Sequence, residues 1–119
     1  MKAEIKYIFS PDVEDLENFH PSIEDEFCLL LQLVVGPFKE KGEESFDIVL
    51  CTPKWLLSNK KENDIIYGRH YLIVFKYDYQ SIYSSLHKYV DSVTGDTWDA
   101  VAEKIGRIGK WEFEDYRPK

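Results

Sequence analysis

Glycine is scarce in this chain, and none of its six glycines falls in a G-x-G-x-x-G or G-x-x-x-x-G-K arrangement. The backbone cradle that such loops build for phosphate is missing, so nucleotide binding has no support. Cysteine is scarcer. Cys28 and Cys51 lie inside apolar stretches, form no C-x-x-C pair and allow only one bridge, too little for a disulfide framework, so they read as reduced thiols. His20, His70 and His87 show neither H-x-x-x-H nor H-E-x-x-H spacing, and no metal and no cofactor is expected. Long apolar runs are also lacking. The longest, Phe27 to Val35, is broken by Gln32 and falls far short of the ~20 residues a membrane-spanning helix needs. The charged start MKAEIKYIF has no apolar h-region of a signal peptide. A soluble cytoplasmic protein without a membrane partner is expected.

What the first part of the chain lacks is positive charge. Residues 1 to 50 carry 12 acids against 4 bases, a net of −8, whereas residues 51 to 119 carry 10 acids against 11 bases, a net of +1. Such a field disfavours nucleic acid and anionic membrane, and speeds encounter with a basic partner. The plainer reading is that an acidic surface merely aids solubility.

At 119 residues, with 44% hydrophobic composition, the chain can bury about two thirds of its unfolded surface, and one domain over residues 1 to 119 is expected. Residues 2 to 9 alternate, with Ala3, Ile5, Tyr7 and Phe9 on one side and Lys2, Glu4 and Lys6 on the other, which predicts a half-buried strand ended by Ser10-Pro11-Asp12. Residues 13 to 26 suit either a short helix or a loop anchored by apolar points. Residues 26 to 35 are apolar on both sides, as in a central strand, and Gly36-Pro37 stops them. A charged loop then leads into SFDIVLC, predicting a hairpin. Residues 65 to 76, IIYGRHYLIVFK, restore the strand pattern, with Gly68 marking a bulge or close backbone approach. From Asp78 the period becomes helical. Tyr79, Ile82, Tyr83, Leu86, Val90 and Val93 form one stripe capped by Asp78. A second helix over Trp98 to Ile105 is capped by Asp96 or Thr97 and stopped by Gly106, and residues 107 to 116 suit a short strand or tail. The expected class is α+β: an antiparallel sheet of about four to five strands, with two main helices of the C-terminal half packed on one face.

Cys51 is the best enzymatic candidate, because Thr52-Pro53 starts a helical turn and a thiol at a helix N-terminus is activated by the dipole. It also follows the strand alternation, with Asp47 and Val49 on its side, and nothing local supplies a base or oxyanion donors. A packed, inert thiol outweighs a nucleophile. Carboxylates such as Asp25 and Glu43 could serve acid/base chemistry only across a cleft that sequence cannot place, and a solvated face is commoner. Most of the tryptophans and tyrosines fall on the core stripes, with Trp55 and Tyr116 the expected exposed exceptions.

Taken in order, Ser10-Pro11-Asp12, Gly36-Pro37, Glu43-Glu44-Ser45-Phe46-Asp47, Cys51-Thr52-Pro53-Lys54-Trp55-Leu56 and Trp111-Glu112-Phe113-Glu114-Asp115-Tyr116 resemble the immunity protein 8 family over nearly the whole chain. The resemblance implies an α+β, non-catalytic protein of a polymorphic or contact-dependent toxin system. Such a protein binds the C-terminal domain of a cognate toxin, often a nuclease, and neutralises it. It carries over no catalytic residue, and Trp55 and Trp111 in its motifs can mark fold as well as interface. A basic nuclease site would be met by acids. The expected docking face is therefore Glu14, Asp15 and Glu17, then Glu24, Asp25 and Glu26, with Glu40, Glu43 and Glu44 from the hairpin loop and Trp55 as an aromatic anchor. The rival readings are a small thiol enzyme using Cys51 and an acidic interaction domain with no toxin.

Overall fold

A computed structural model of the chain describes residues 1–114. The elements run β1 (Ala3–Phe9), β2 (Cys28–Pro37), β3 (Glu44–Cys51), α1 (Pro53–Asn59), β4 (Tyr71–Ile73), α2 (Tyr79–Ser92), α3 (Trp98–Ile105) and β5 (Lys110–Trp111). The α+β class, five strands and two helices of the C-terminal half are as the periodicities predict. Strand order is β1-β2-β3-β4, with β5 also on β3. The place beside β3 is thus shared end to end: β4 pairs with Val49 to Cys51, and β5 with Phe46 and Asp47. β1-β2, β2-β3 and β3-β5 are antiparallel, but β4 runs parallel to β3, so the sheet is mixed. The chain between β3 and β4 passes through α1 and a long loop, and a crossover of that length permits parallel pairing.

The core lies under one sheet face. Leu29, Leu31, Leu33 and Val35 of β2 and Phe46, Ile48 and Leu50 of β3 point to it, as strand alternation requires, and meet Ile82, Leu86 and Val90 of α2 and Val101, Ala102 and Ile105 of α3. The helix ends are closed by the expected side chains. Asp78 accepts from Ser81 N–H, Thr97 from Ala100 N–H and Thr52 from Trp55 N–H, with Pro53 in the first turn of α1.

Two local readings are overturned, the one-sided alternation of β1 and the strand over residues 65 to 70. In β1 the register shifts between Ile5 and Tyr7: Ile5 faces Val35 and Ile8 faces Leu33 on the core side, while Tyr7 and Phe9 turn to the open face beside Val34 and Gln32. The inserted residue is Lys6, whose Nζ reaches Glu4 Oε1 at 2.8 Å and the carbonyls of Pro37 and Glu40. Gly36-Pro37 ends β2 as its last two residues, with Glu4 paired to Gly36 and Ala3 to Pro37. Gly36 is needed there because a Cβ would lie 1.9 Å from the carbonyl oxygen of Gly42 in the returning loop. Residues 65 to 70 are not strand. Gly68, at φ +78°, and His70, at φ +67°, form an open turn in which Tyr71 N–H donates to Gly68 O, and β4 is only three residues long. Residues 13 to 26 form no helix and run as a turn-rich loop.

No helix among the described residues is long and apolar enough to cross a membrane.

Candidate functional site

Cys51 ends β3 fully buried, and its neighbour across the ladder is Cys28 at the start of β2. Burial pushes the Cys51 thiol above its ordinary value, and Cys28 pushes it further against a small opposing effect of Lys60. Cys28 is raised in the same way, by burial and then by Asp12. Both shifts oppose the thiolate that a nucleophile needs. The polar work at this junction is done by Thr52, which is also fully buried. Its Oγ1 accepts Phe27 N–H at 3.3 Å and Trp55 N–H at 3.2 Å, tying the start of α1 to the segment that enters β2.

The histidines are accounted for individually. The Nε2 of His70 bonds the Gly106 carbonyl at 2.7 Å, and His87 lies 4.1 Å from the Tyr83 ring. His20 is exposed beside Pro21. Among the described residues, no three His, Cys, Asp or Glu side chains gather as metal ligands.

The acidic residues fall into two groups at opposite ends of the sheet. Glu14 to Glu26 belong to the loop that leads into Cys28, whereas Glu40, Glu43 and Glu44 lie at the Pro37 end. The ten residues of β2 between them span roughly 30 Å at about 3.3 Å each. Asp25 and Glu43, one in each group, therefore do not flank a common cleft.

Several of these acids are already engaged. The Asp15 carboxylate accepts Glu17 N–H, Asn18 N–H and Asn18 Nδ2, and these bonds hold its pKa below the ordinary value. Asp25 lies 2.6 Å from Lys54 Nζ and is lowered chiefly by that contact, while Glu26 accepts from Ser58 Oγ. Together they pin α1 to the loop. Glu43 accepts the Tyr7 hydroxyl, and Glu44 accepts Trp111 Nε1 at 2.6 Å. Glu14, Glu17, Glu24 and Glu40 are exposed, and their carboxylates make no hydrogen bond or ion pair among the described residues. Glu17 and Glu24 line a groove of about 440 Å³ with Phe19, His20, Lys76 and Asp78; the Asp78 carboxylate is taken up by Ser81 in the cap of α2, so Glu17 and Glu24 are the two carboxylates the groove presents, beside the one ammonium of Lys76.

Trp55, expected to be exposed, is half-buried with Lys60 Nζ 5.5 Å from its ring centre. Tyr116 lies outside the described residues. The exposed apolar side chains are elsewhere: Tyr67 is 96% exposed, Phe75 79% and Ile73 48%, with Leu57 and Ile65 also open to solvent. Read as a strand, IIYGRHYLIVF sends these residues to a core. The turn at Gly68 and His70 breaks that strand, and Ile65, Tyr67, Ile73 and Phe75 are exposed on either side of it. Tyr7 and Phe9 are a second exposed aromatic pair, 6.2 Å apart on the open sheet face.

The model of the family described as immunity protein 8 matches residues 3–116. The chain belongs to the immunity protein 8 family. No curated protein and no solved structure matches it. Membership implies an immunity protein that acts against a toxin. That role agrees with a Cys51 which is buried and held protonated. It also directs attention away from the thiol and toward the outer surface.

Proposed function

We propose that this protein neutralises one cognate bacterial toxin domain by stoichiometric binding, that the toxin is a basic nuclease, and that docking uses acidic side chains of the first part of the chain. The observation that carries the finer reading is the charge asymmetry, −8 over residues 1 to 50 against +1 over the rest. A nuclease must hold phosphate with basic groups, and an acidic protein gains association rate toward such a site and excludes the nucleic acid once seated. Glu14, Glu17 and Glu24 are the strongest candidates, because their carboxylates are exposed and Glu17 and Glu24 share the groove. Glu40 and Glu43 form a second, separate acidic end. Glu44 is assigned to the fold, because its carboxylate is occupied by Trp111.

The test is association kinetics with the cognate toxin domain, measured at several salt concentrations. Reversing Glu14, Glu17 and Glu24 to lysine should slow association and flatten its salt dependence, whereas reversing Glu40 and Glu43 should do so less. Unchanged rate and salt dependence in the first variant would remove the loop acids from the docking surface. The same reading gives a cytoplasmic protein, since a nuclease must be stopped where the nucleic acid is.

A further inference from the structure

The outer edge of β4 combines unused strand pairing with an adjoining apolar groove. In the parallel ladder Val49 N–H donates to His70 O, and Val74 N–H donates to Cys51 O. Alternate residues of a strand direct their backbone groups to the same side, so residues 70, 72 and 74 face β3 and Ile73 faces away. Among the described residues no strand lies beyond β4. The Ile73 N–H and C=O therefore stand at an open edge. Protein edges of this kind are usually blunted by a charge or a bulge, as Lys6 does for β1, but the strand here reads Tyr71-Leu72-Ile73, with no charge in it.

Between this edge and α2 runs a groove of about 360 Å³, lined by Leu72, Val74, Phe75, Ser81, Ile82 and Ser85. A strand added to β4 would alternate its side chains, sending every second one into this groove. The groove shares Lys76 and Asp78 with the acidic groove of Glu17 and Glu24, so the two are continuous in the direction in which β4 points. A segment along β4 thus meets apolar surface first, then Lys76 at the junction, and then the carboxylates of Glu17 and Glu24.

Resting on the immunity reading above, we infer that β4 is the docking edge, and that the toxin domain inserts an extended segment that pairs with Ile73, places an apolar side chain between β4 and α2, and directs a basic residue at Glu17 and Glu24. The local charge selects this occupant over a second copy of the chain, which would bring its own Glu17 and Glu24 to the same end of the edge. Main-chain pairing supplies affinity and the two grooves supply selectivity.

Backbone hydrogen exchange by NMR tests this on the chain alone and with the cognate toxin domain, alongside binding by Ile73→Pro and Ser85→Trp. Proline removes the outward N–H at an edge position that tolerates it, and tryptophan fills the groove without touching the strand. The expected result is an Ile73 amide that exchanges fast when free and slowly in the complex, with affinity falling roughly tenfold or more in each variant while folding, followed by circular dichroism, is retained. A wild-type complex in which the Ile73 amide still exchanges fast would overturn strand addition and leave the immunity reading standing. No wild-type complex at all would remove both. A chain that is dimeric alone, with the Ile73 amide already slow, would give the edge to a second copy and overturn the proposal.

Discussion

Trp111 donates its indole N–H to the carboxylate of Glu44 at 2.6 Å, joining residues 67 positions apart in the chain. The indole also stacks on Phe46, with ring centres 6.3 Å apart and planes 19° from parallel. An acid that looks available in the sequence is therefore a tether that holds β5 against β3. A hydrogen bond to a charged acceptor contributes about 1.5–3 kcal/mol. Glu44 is half-buried, so Glu44→Ala should destabilise by about 1–2 kcal/mol in urea denaturation, with Glu44→Gln losing less because an oxygen acceptor remains. Toxin binding by folded Glu44→Ala should match the wild type, and an affinity loss at unchanged stability would return Glu44 to the docking surface.

Thr52 should be among the most sensitive polar positions. It is fully buried and its single oxygen takes up two backbone N–H groups, from Phe27 and Trp55. Thr52→Val preserves shape but strands both donors, so a loss of about 2–3 kcal/mol is expected, while Thr52→Ser should retain most of the stability. Equal stability of the valine variant, measured by denaturant midpoint, would show that the junction does not depend on these bonds.

Cys51 should react slowly. In a Cys28→Ser variant the remaining thiol is buried and held above its ordinary pKa by burial. Alkylation at neutral pH should be slow and should accelerate only when the pH approaches or exceeds the ordinary cysteine value of 9.0, or when the chain unfolds. Rapid alkylation of the folded chain at pH 7 would revive the thiol-enzyme reading.

Acid should weaken the fold late. Asp15, Asp25 and Asp78 all have carboxyl pKa values lowered below 3.8 by hydrogen bonds, to Asn18, Lys54 and Ser81 respectively. A group whose folded pKa is depressed stabilises the fold above its unfolded value, and the contribution is lost as pH falls through the folded one. Stability from these three should hold down to about pH 4 and decline below it. Asp15 and Asp78 are exposed and Asp25 is half-buried, so the decline should be gradual and weakened by salt. Loss of stability already at pH 6 would point to other groups.

Much of the fold is legible locally because its signals are local. Asp78, Thr97 and Thr52 cap helices by bonds that span three residues, and the stripe from Tyr79 to Val90 needs only the helical period. What stays hidden depends on distant partners. The Lys6 bulge is fixed by carbonyls of Pro37 and Glu40, more than thirty residues away, and without them Ala3, Ile5, Tyr7 and Phe9 read as one face. The parallel pairing of β4 is hidden for the same reason. At the candidate site, sequence identified the acids but could not separate exposed Glu17 and Glu24 from Glu43 and Glu44, whose partners are Tyr7 and Trp111. The exposed Ile73 and Phe75 were obscured because a strand period assigns such residues to a core.

The most direct measurement is a titration of toxin activity with this protein. Fixed amounts of the cognate toxin domain are mixed with increasing amounts of the chain, and residual activity is followed. Stoichiometric inhibition predicts a linear fall that reaches zero at one chain per toxin domain, with a 1:1 complex recovered by size-exclusion chromatography. Full activity at excess chain would contradict the account, and so would inactivation of many toxin molecules by each chain, which would make the protein an enzyme.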